Sequence, residues 1–190
     1  MKAIAVNGSP RKKGNTYLML NMVMKELEAR GIETEIIQAG GRGIHGCVAC
    51  GKCKDINPAA CVFDDDLVNE SIRKIETADA LVIGSPVYFG SLTAQTKAFI
   101  DRVGYATRPH KVLKGMVCAS VTAVRRNGAL TAFNAINNLF TISEGIVVGS
   151  SYWNQGVGVR VGDVMDDEEC IDTMKTLGQN MADALFALRK

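Results

Sequence analysis

Short apolar runs alternate with helical periodicity along this 190-residue chain, and that rhythm restricts the fold more than any other feature. Lys2 to Val6 reads as a compact strand of the aliphatic kind found in buried parallel sheets. A helix is expected from about Asn15 to Arg30, with Leu20, Val23, Met24 and Leu27 on one face and Gly31 at its stop. Glu33 to Gln38, Asp79 to Gly84, Gly115 to Val121 and Gly145 to Gly149 read as further strands. Helices are expected through Phe99, Ile100 and Val103, and through Leu130, Phe133, Ile136, Asn137 and Phe140. The last helix, about Asp167 to Leu188, carries Ile171, Met174, Leu177, Met181, Leu185 and Leu188 on one side. Asp166 with Glu169 resembles a capping pair at its start. Strand and helix alternating in this way imply an α/β fold, a five-stranded parallel sheet between two helical layers, as one domain over residues 1–190.

One segment breaks the rhythm. From about residue 39 to 65 there is neither strand nor helix pattern, and unstructured loops beyond about 12–15 residues are uncommon unless functional or disordered. This loop holds four of the six cysteines: Cys47, Cys50, Cys53 and Cys61. In a reducing compartment such a cluster argues for metal or redox chemistry over structural disulfides. The net charge of +2 and the scatter of basic residues outside Arg11, Lys12 and Lys13 give no nucleic-acid footprint. No apolar run reaches the roughly 18 residues of a membrane span, and Ala3 to Val6 is too short for a secretion signal. A cytoplasmic protein is expected.

Asn7-Gly8-Ser9-Pro10-Arg11-Lys12-Lys13-Gly14-Asn15-Thr16 lies between the first strand and the first helix. A phosphate there receives backbone N–H groups and the positive end of the helix dipole. Ser9 and Thr16 add hydroxyls, Asn15 an amide, and Arg11 a charged fork, while Gly8 and Gly14 permit close approach. The spacing is neither a Walker A loop nor G-x-G-x-x-G, and no cysteine nucleophile is present in it. Gly8-Ser9-Pro10-Arg11 with Gly14-Asn15-Thr16 resembles the phosphate loop of the NADPH-dependent FMN reductase superfamily. Gly84-Ser85-Pro86-Val87-Tyr88-Phe89-Gly90-Ser91 resembles that family's second flavin loop. The resemblance implies a flavodoxin-like fold, strand order 2-1-3-4-5, with FMN at the switch point between strands one and three. It implies that Pro86, Val87, Gly90 and either Tyr88 or Phe89 line the isoalloxazine ring, as a flat ring needs apolar walls and backbone groups at its polar edge. The third loop, Thr122 to Gly128, has less glycine than the family pattern, and Thr122 and Ala123 are its expected flavin contacts.

The four clustered cysteines read C-x2-C-x2-C-x7-C. Three thiolates two residues apart can converge on a small cluster, although the last spacing differs from a ferredoxin run. The pattern is similar to the compact motif of the iron–sulfur flavoproteins, a branch of the same superfamily, which implies a [4Fe–4S] cluster held by Cys47, Cys50, Cys53 and Cys61. A zinc site or metal-free thiols stand beside that reading. Cys118 and Cys170 read as small hydrophobes in the core. His45 and His110 read as loop residues, Asp64 to Asp66 as helix capping, and Trp153 as a possible cover for a flavin.

The functional expectation is an FMN-dependent redox protein whose cysteine loop adds a one-electron centre, with no side chain acting as general acid or nucleophile. The resemblance adds a homodimer or homotetramer and an electron donor, ferredoxin or NAD(P)H. One alternative is an NAD(P)H-dependent FMN or quinone reductase without a cluster. Another is a non-catalytic flavin-binding module whose cysteines hold structural zinc.

Overall fold

The computed structural model describes residues 1–188. Its elements are β1 Lys2–Asn7, α1 Asn15–Ala29, β2 Glu33–Gln38, α2 Val68–Glu76, β3 Ala80–Pro86 and α3 Ala94–Thr107. They continue as β4 Val117–Val124, α4 Ala129–Ile142, β5 Ile146–Val147, β6 Gln155–Val157 and α5 Glu168–Leu188. The strands are all parallel and run in the order β2-β1-β3-β4-β5, as expected.

The fifth position differs from expectation. It is split between two short strands: Ile146 and Val147 pair with Val117 and Cys118, and Gln155 to Val157 pair with Thr122 to Val124. Residues 148–154 leave the sheet between them, tied back where Val148 N–H donates to Cys118 and Thr122 N–H donates to Asn154. Strands of two and three residues are too short to show a period of two, which is why the sequence suggests one strand there.

Alternation along each strand divides the core into two halves. Ala3 and Ala5 face α1 and α5, packing with Leu20, Val23, Met174 and Leu177. Ile4 and Val6 face the other layer, with Ile72 of α2, Phe99 of α3 and Phe140 of α4. The expected face of α1 is buried throughout, and Gly31, at φ +76°, closes its C-terminus while Ile32 N–H returns to Leu27. Two helix faces are corrected. In α4 the small Ala129 and Ala132 turn inward with Ile136 and Phe140, so Leu130 is exposed. In α5 the buried stripe runs through Cys170, Met174, Leu177, Met181 and Leu185, leaving Leu188 in solvent. The cap of α5 is Asp167 rather than Asp166, its Oδ1 accepting from Cys170 N–H at 3.0 Å. Among the described residues no helix is long and apolar enough to cross a membrane.

At the C-terminal ends of β1, β2 and β3 three backbones converge. Gly8 N–H donates to the Gly84 carbonyl at 2.8 Å, and a side chain at Gly8 would collide with Thr96. Gly40, just after β2, lies so close to the Ser9 backbone that an added methyl would overlap it. Gly40→Ala is expected to destabilise the protein by about 1–3 kcal/mol, the usual cost of overpacking. Gly43→Ala, which meets nothing within 4 Å, should leave urea unfolding almost unchanged.

Candidate functional site

The turn after β1 is braced before anything binds to it. Ser9 N–H donates to Asn7 Oδ1 at 3.1 Å, and Asn7 Nδ2 donates to Gln38 Oε1 at 2.7 Å. Gln38 Nε2 in turn donates to the Ser9 and Gly40 carbonyls. No side chain caps the N-terminus of α1 at Gly14, so its first turn presents free N–H groups and a positive dipole end. Thr16 is buried, with its methyl toward Gly84, and its Oγ1 has no hydrogen-bond partner. A buried hydroxyl without a partner costs about 1–3 kcal/mol, which an anion accepting from it would remove. Arg11 stands exposed on the same rim. Together these groups form a seat for an anion of phosphate type.

The seat opens into a cleft of about 150 Å³. Ser9, Arg11, Asn15 and Thr16 line one side, and Pro86, Val87, Tyr88 and Ala123 another. The sequence reading missed the remaining wall, Val124, Arg125, Gly158 and Val159. Asn15 has a second task besides lining the cleft. Its Nδ2 donates to the Arg160 carbonyl and its Oδ1 accepts from Gly162 N–H, so it ties the 158–162 segment to the helix start. Asp163 braces the same segment, accepting from the N–H groups of Val159 and Arg160.

Four expected contacts lie outside the lining. Gly14 sits behind the turn as the helix N-cap residue. Thr122 is fully buried within β4. Phe89 and Gly90 form the tip of a tight turn, at φ +49° and +82°, closed by hydrogen bonds between Tyr88 and Ser91. The turn projects the Phe89 ring wholly into solvent, leaving Tyr88 as the aromatic wall. Trp153 meets Tyr152 in a tilted contact, ring centroids 4.9 Å apart, and lies outside the lining of this chain's own cleft.

The cysteine loop surrounds a second cavity, of about 200 Å³, lined by all four clustered cysteines. Ala49 and Gly51 both take left-handed conformations, at φ +53° and +73°, which curls the chain so that Cys47, Cys50 and Cys53 face inward. Burial pushes the Cys53 thiol up, and the thiolates of Cys61, Cys50 and Cys47 add to the effect. Cys61 reaches the cavity because α2 holds its backbone: Asn69 Oδ1 accepts from Cys61 N–H at 2.7 Å, and Asn69 Nδ2 donates to the Cys61 carbonyl at 2.9 Å. From α3, Arg102 pairs with Asp66 and donates to the Phe63 carbonyl. Asp66 also accepts from the N–H of Val68, the first residue of α2, whose N-cap position is Leu67. His45 stacks edge-on against Phe63 and approaches Asp65.

A sequence model of the NADPH-dependent FMN reductase family matches residues 1–158. The chain belongs to this family. An iron-sulfur flavoprotein of Methanocaldococcus jannaschii is 35% identical over the full length of both chains. Another, of Archaeoglobus fulgidus, is 37% identical over 97% of this chain and 80% of its own. The solved structure of a WrbA-like flavodoxin from Agrobacterium tumefaciens superposes with a TM-score of 0.67 at 17% identity, covering 98% of each chain. That likeness carries the flavodoxin-like fold.

In this FMN reductase family member the six thiols fall into separate environments. Cys118 and Cys170 are buried, and burial pushes both up to about 12. Cys47 and Cys50 are exposed. In metal-stripped protein at pH 8, alkylation read by mass spectrometry should mark Cys47 and Cys50 quickly, since the thiolate is the nucleophile and access governs its rate. Cys118 and Cys170 should react only once urea unfolds the chain. Labelling of either in the folded protein would contradict the packing described.

Proposed function

We propose that this flavin-dependent oxidoreductase holds FMN in the cleft between β1, β3 and β4 and a [4Fe–4S] cluster in the cysteine cavity. The observation that carries the reading is the pairing of the two cavities on one chain, an anion seat with an orphaned hydroxyl and a ring of four thiols. The names of the two archaeal relatives support it.

The residues fit both groups. Thr16 Oγ1, the first turn of α1, Ser9 and Arg11 would take the FMN phosphate. Val87, Tyr88 and Val159 give apolar surface for a flat ring, and the backbone at Ala123 to Arg125 gives it polar edges. FMN would supply two-electron chemistry that can be released one electron at a time, and the cluster a one-electron centre. The protein's own work is then binding, orientation and exclusion of water, with no side chain required as acid, base or nucleophile. Four sulfur donors also satisfy zinc, but the compact spacing favours the cluster over two separated hooks.

The donor is ferredoxin or NAD(P)H, and the reducing cytoplasm is the compartment in which exposed thiols stay available to metal. Exposed Ile146, Val147, Tyr152 and Trp153 support assembly into a homodimer or homotetramer.

Two variants separate the cavities. Thr16→Val should weaken FMN binding about tenfold, as loss of a hydrogen bond to a charged group implies, and leave iron content unchanged. Cys61→Ser should lower iron content and leave the FMN dissociation constant, read by flavin fluorescence, unchanged. A Thr16→Val protein that binds FMN as tightly as the wild type would remove the phosphate from the seat. Wild-type protein purified without oxygen that carries zinc, or no metal, would overturn the cluster.

A further inference from the structure

Among the described residues Arg102 is the largest fully buried side chain, with 1% of its side chain exposed, and it is charged. An isolated buried charge costs several kcal/mol, so a guanidinium in the core needs partners that justify its position. Asp66, itself 6% exposed, neutralises it, and the Phe63 carbonyl accepts from Nη2 at 3.0 Å. With Cys61 it lines the cysteine cavity. Burial works against the charge of Arg102, and the pairing with Asp66 helps to offset it. The buried Nε of Arg102 has no partner. The other cation at the cavity, Lys54, is exposed and screened by solvent.

A hydrophobic residue of similar volume would pack on α3 without these costs. Arg102 therefore makes sense as part of an arrangement that faces negative charge. Four thiolates around one centre are such a charge. Reduction adds an electron, part of which spreads onto the sulfurs, and a positive charge beside them favours the reduced form. The Asp66 carboxylate pulls the other way by offsetting the guanidinium.

We infer that Arg102, a buried cation on the wall of the cysteine cavity, sets the reduction potential of the cluster bound there, with Asp66 as the opposing charge. The inference rests on the cavity being a cluster site. It assigns Asn69 a different role, holding the backbone of Cys61 without touching the sulfur.

The test is redox titration of anaerobic holoprotein, following the cluster by electron paramagnetic resonance and the flavin by absorbance. Arg102→Gln should lower the cluster potential enough to shift its oxidised-to-reduced ratio about tenfold, close to 59 mV for a one-electron couple. Asp66→Asn, which leaves the guanidinium unbalanced, should raise it. The flavin potentials should stay in place in both variants. A purely mechanical clamp would lose iron in both variants without opposite shifts. A cluster potential that does not move in Arg102→Gln, or that moves in the same direction in both variants, overturns the inference. If Arg102→Gln retains no cluster, the sign of the Asp66→Asn shift decides, upward in support and otherwise against. A wild type without iron overturns the functional reading itself, and this inference with it.

Discussion

Everything at the functional edge depends on the backbone contact between the ends of β1 and β3. Gly8 and Gly84 meet through a 2.8 Å hydrogen bond, and Thr93, the N-cap of α3, and Thr96 within it donate to the Gly8 carbonyl. Gly40 closes on the same turn from β2. Side chains at these three positions would push the segments apart, and the turn from β1 into α1 would lose its shape. Because the contact is tight, the first N–H groups of α1 are presented as a fixed anion seat. A preformed site spends little binding energy on ordering its own loop.

The second cavity is held from the opposite helical layer. Asn69 on α2 and Arg102 on α3 bind the chain between Cys61 and Asp66 at backbone and side-chain level. Long loops are usually mobile, and this one is restrained because buried polar groups must find partners. α3 serves both cavities. Thr93 and Thr96, at its start, support the turn beside the cleft, and Arg102 and Tyr105, further along, line the cysteine cavity. A single rigid helix thus fixes the two sites on one frame.

Much of this was legible in the sequence because its signals are periodic or local. The buried faces of α1 and β1 and the C-x2-C-x2-C spacing depend on neighbours within a few residues, whereas the strand order came from the family resemblance. Thr16 was legible as a hydroxyl at a helix start, and its lack of a partner became visible only in three dimensions. What stayed hidden depends on distant partners. Asn15 reads as a donor at the cleft, and its tie to a segment 145 residues away has no mark in the sequence. Nothing in the sequence marks Arg102 as buried, since Phe63 and Asp66 lie 39 and 36 residues from it in the chain. α2 does carry a helical period, in Val68, Ile72 and Ile75, but is marked in the sequence reading only by the acidic residues before it. Phe89 looked like a ring-stacking residue because its positive φ, which turns it into solvent, has no local mark in the sequence.

The central claim is that one chain carries a flavin and an iron–sulfur cluster in two separate cavities. The most direct measurement is diffraction from crystals grown without oxygen, with data collected on either side of the iron and zinc absorption edges. The account predicts a four-iron anomalous peak among Cys47, Cys50, Cys53 and Cys61, and a flavin in the cleft with its phosphate on the first turn of α1. A single peak at the zinc edge, or no metal peak with a flavin in place, would contradict it.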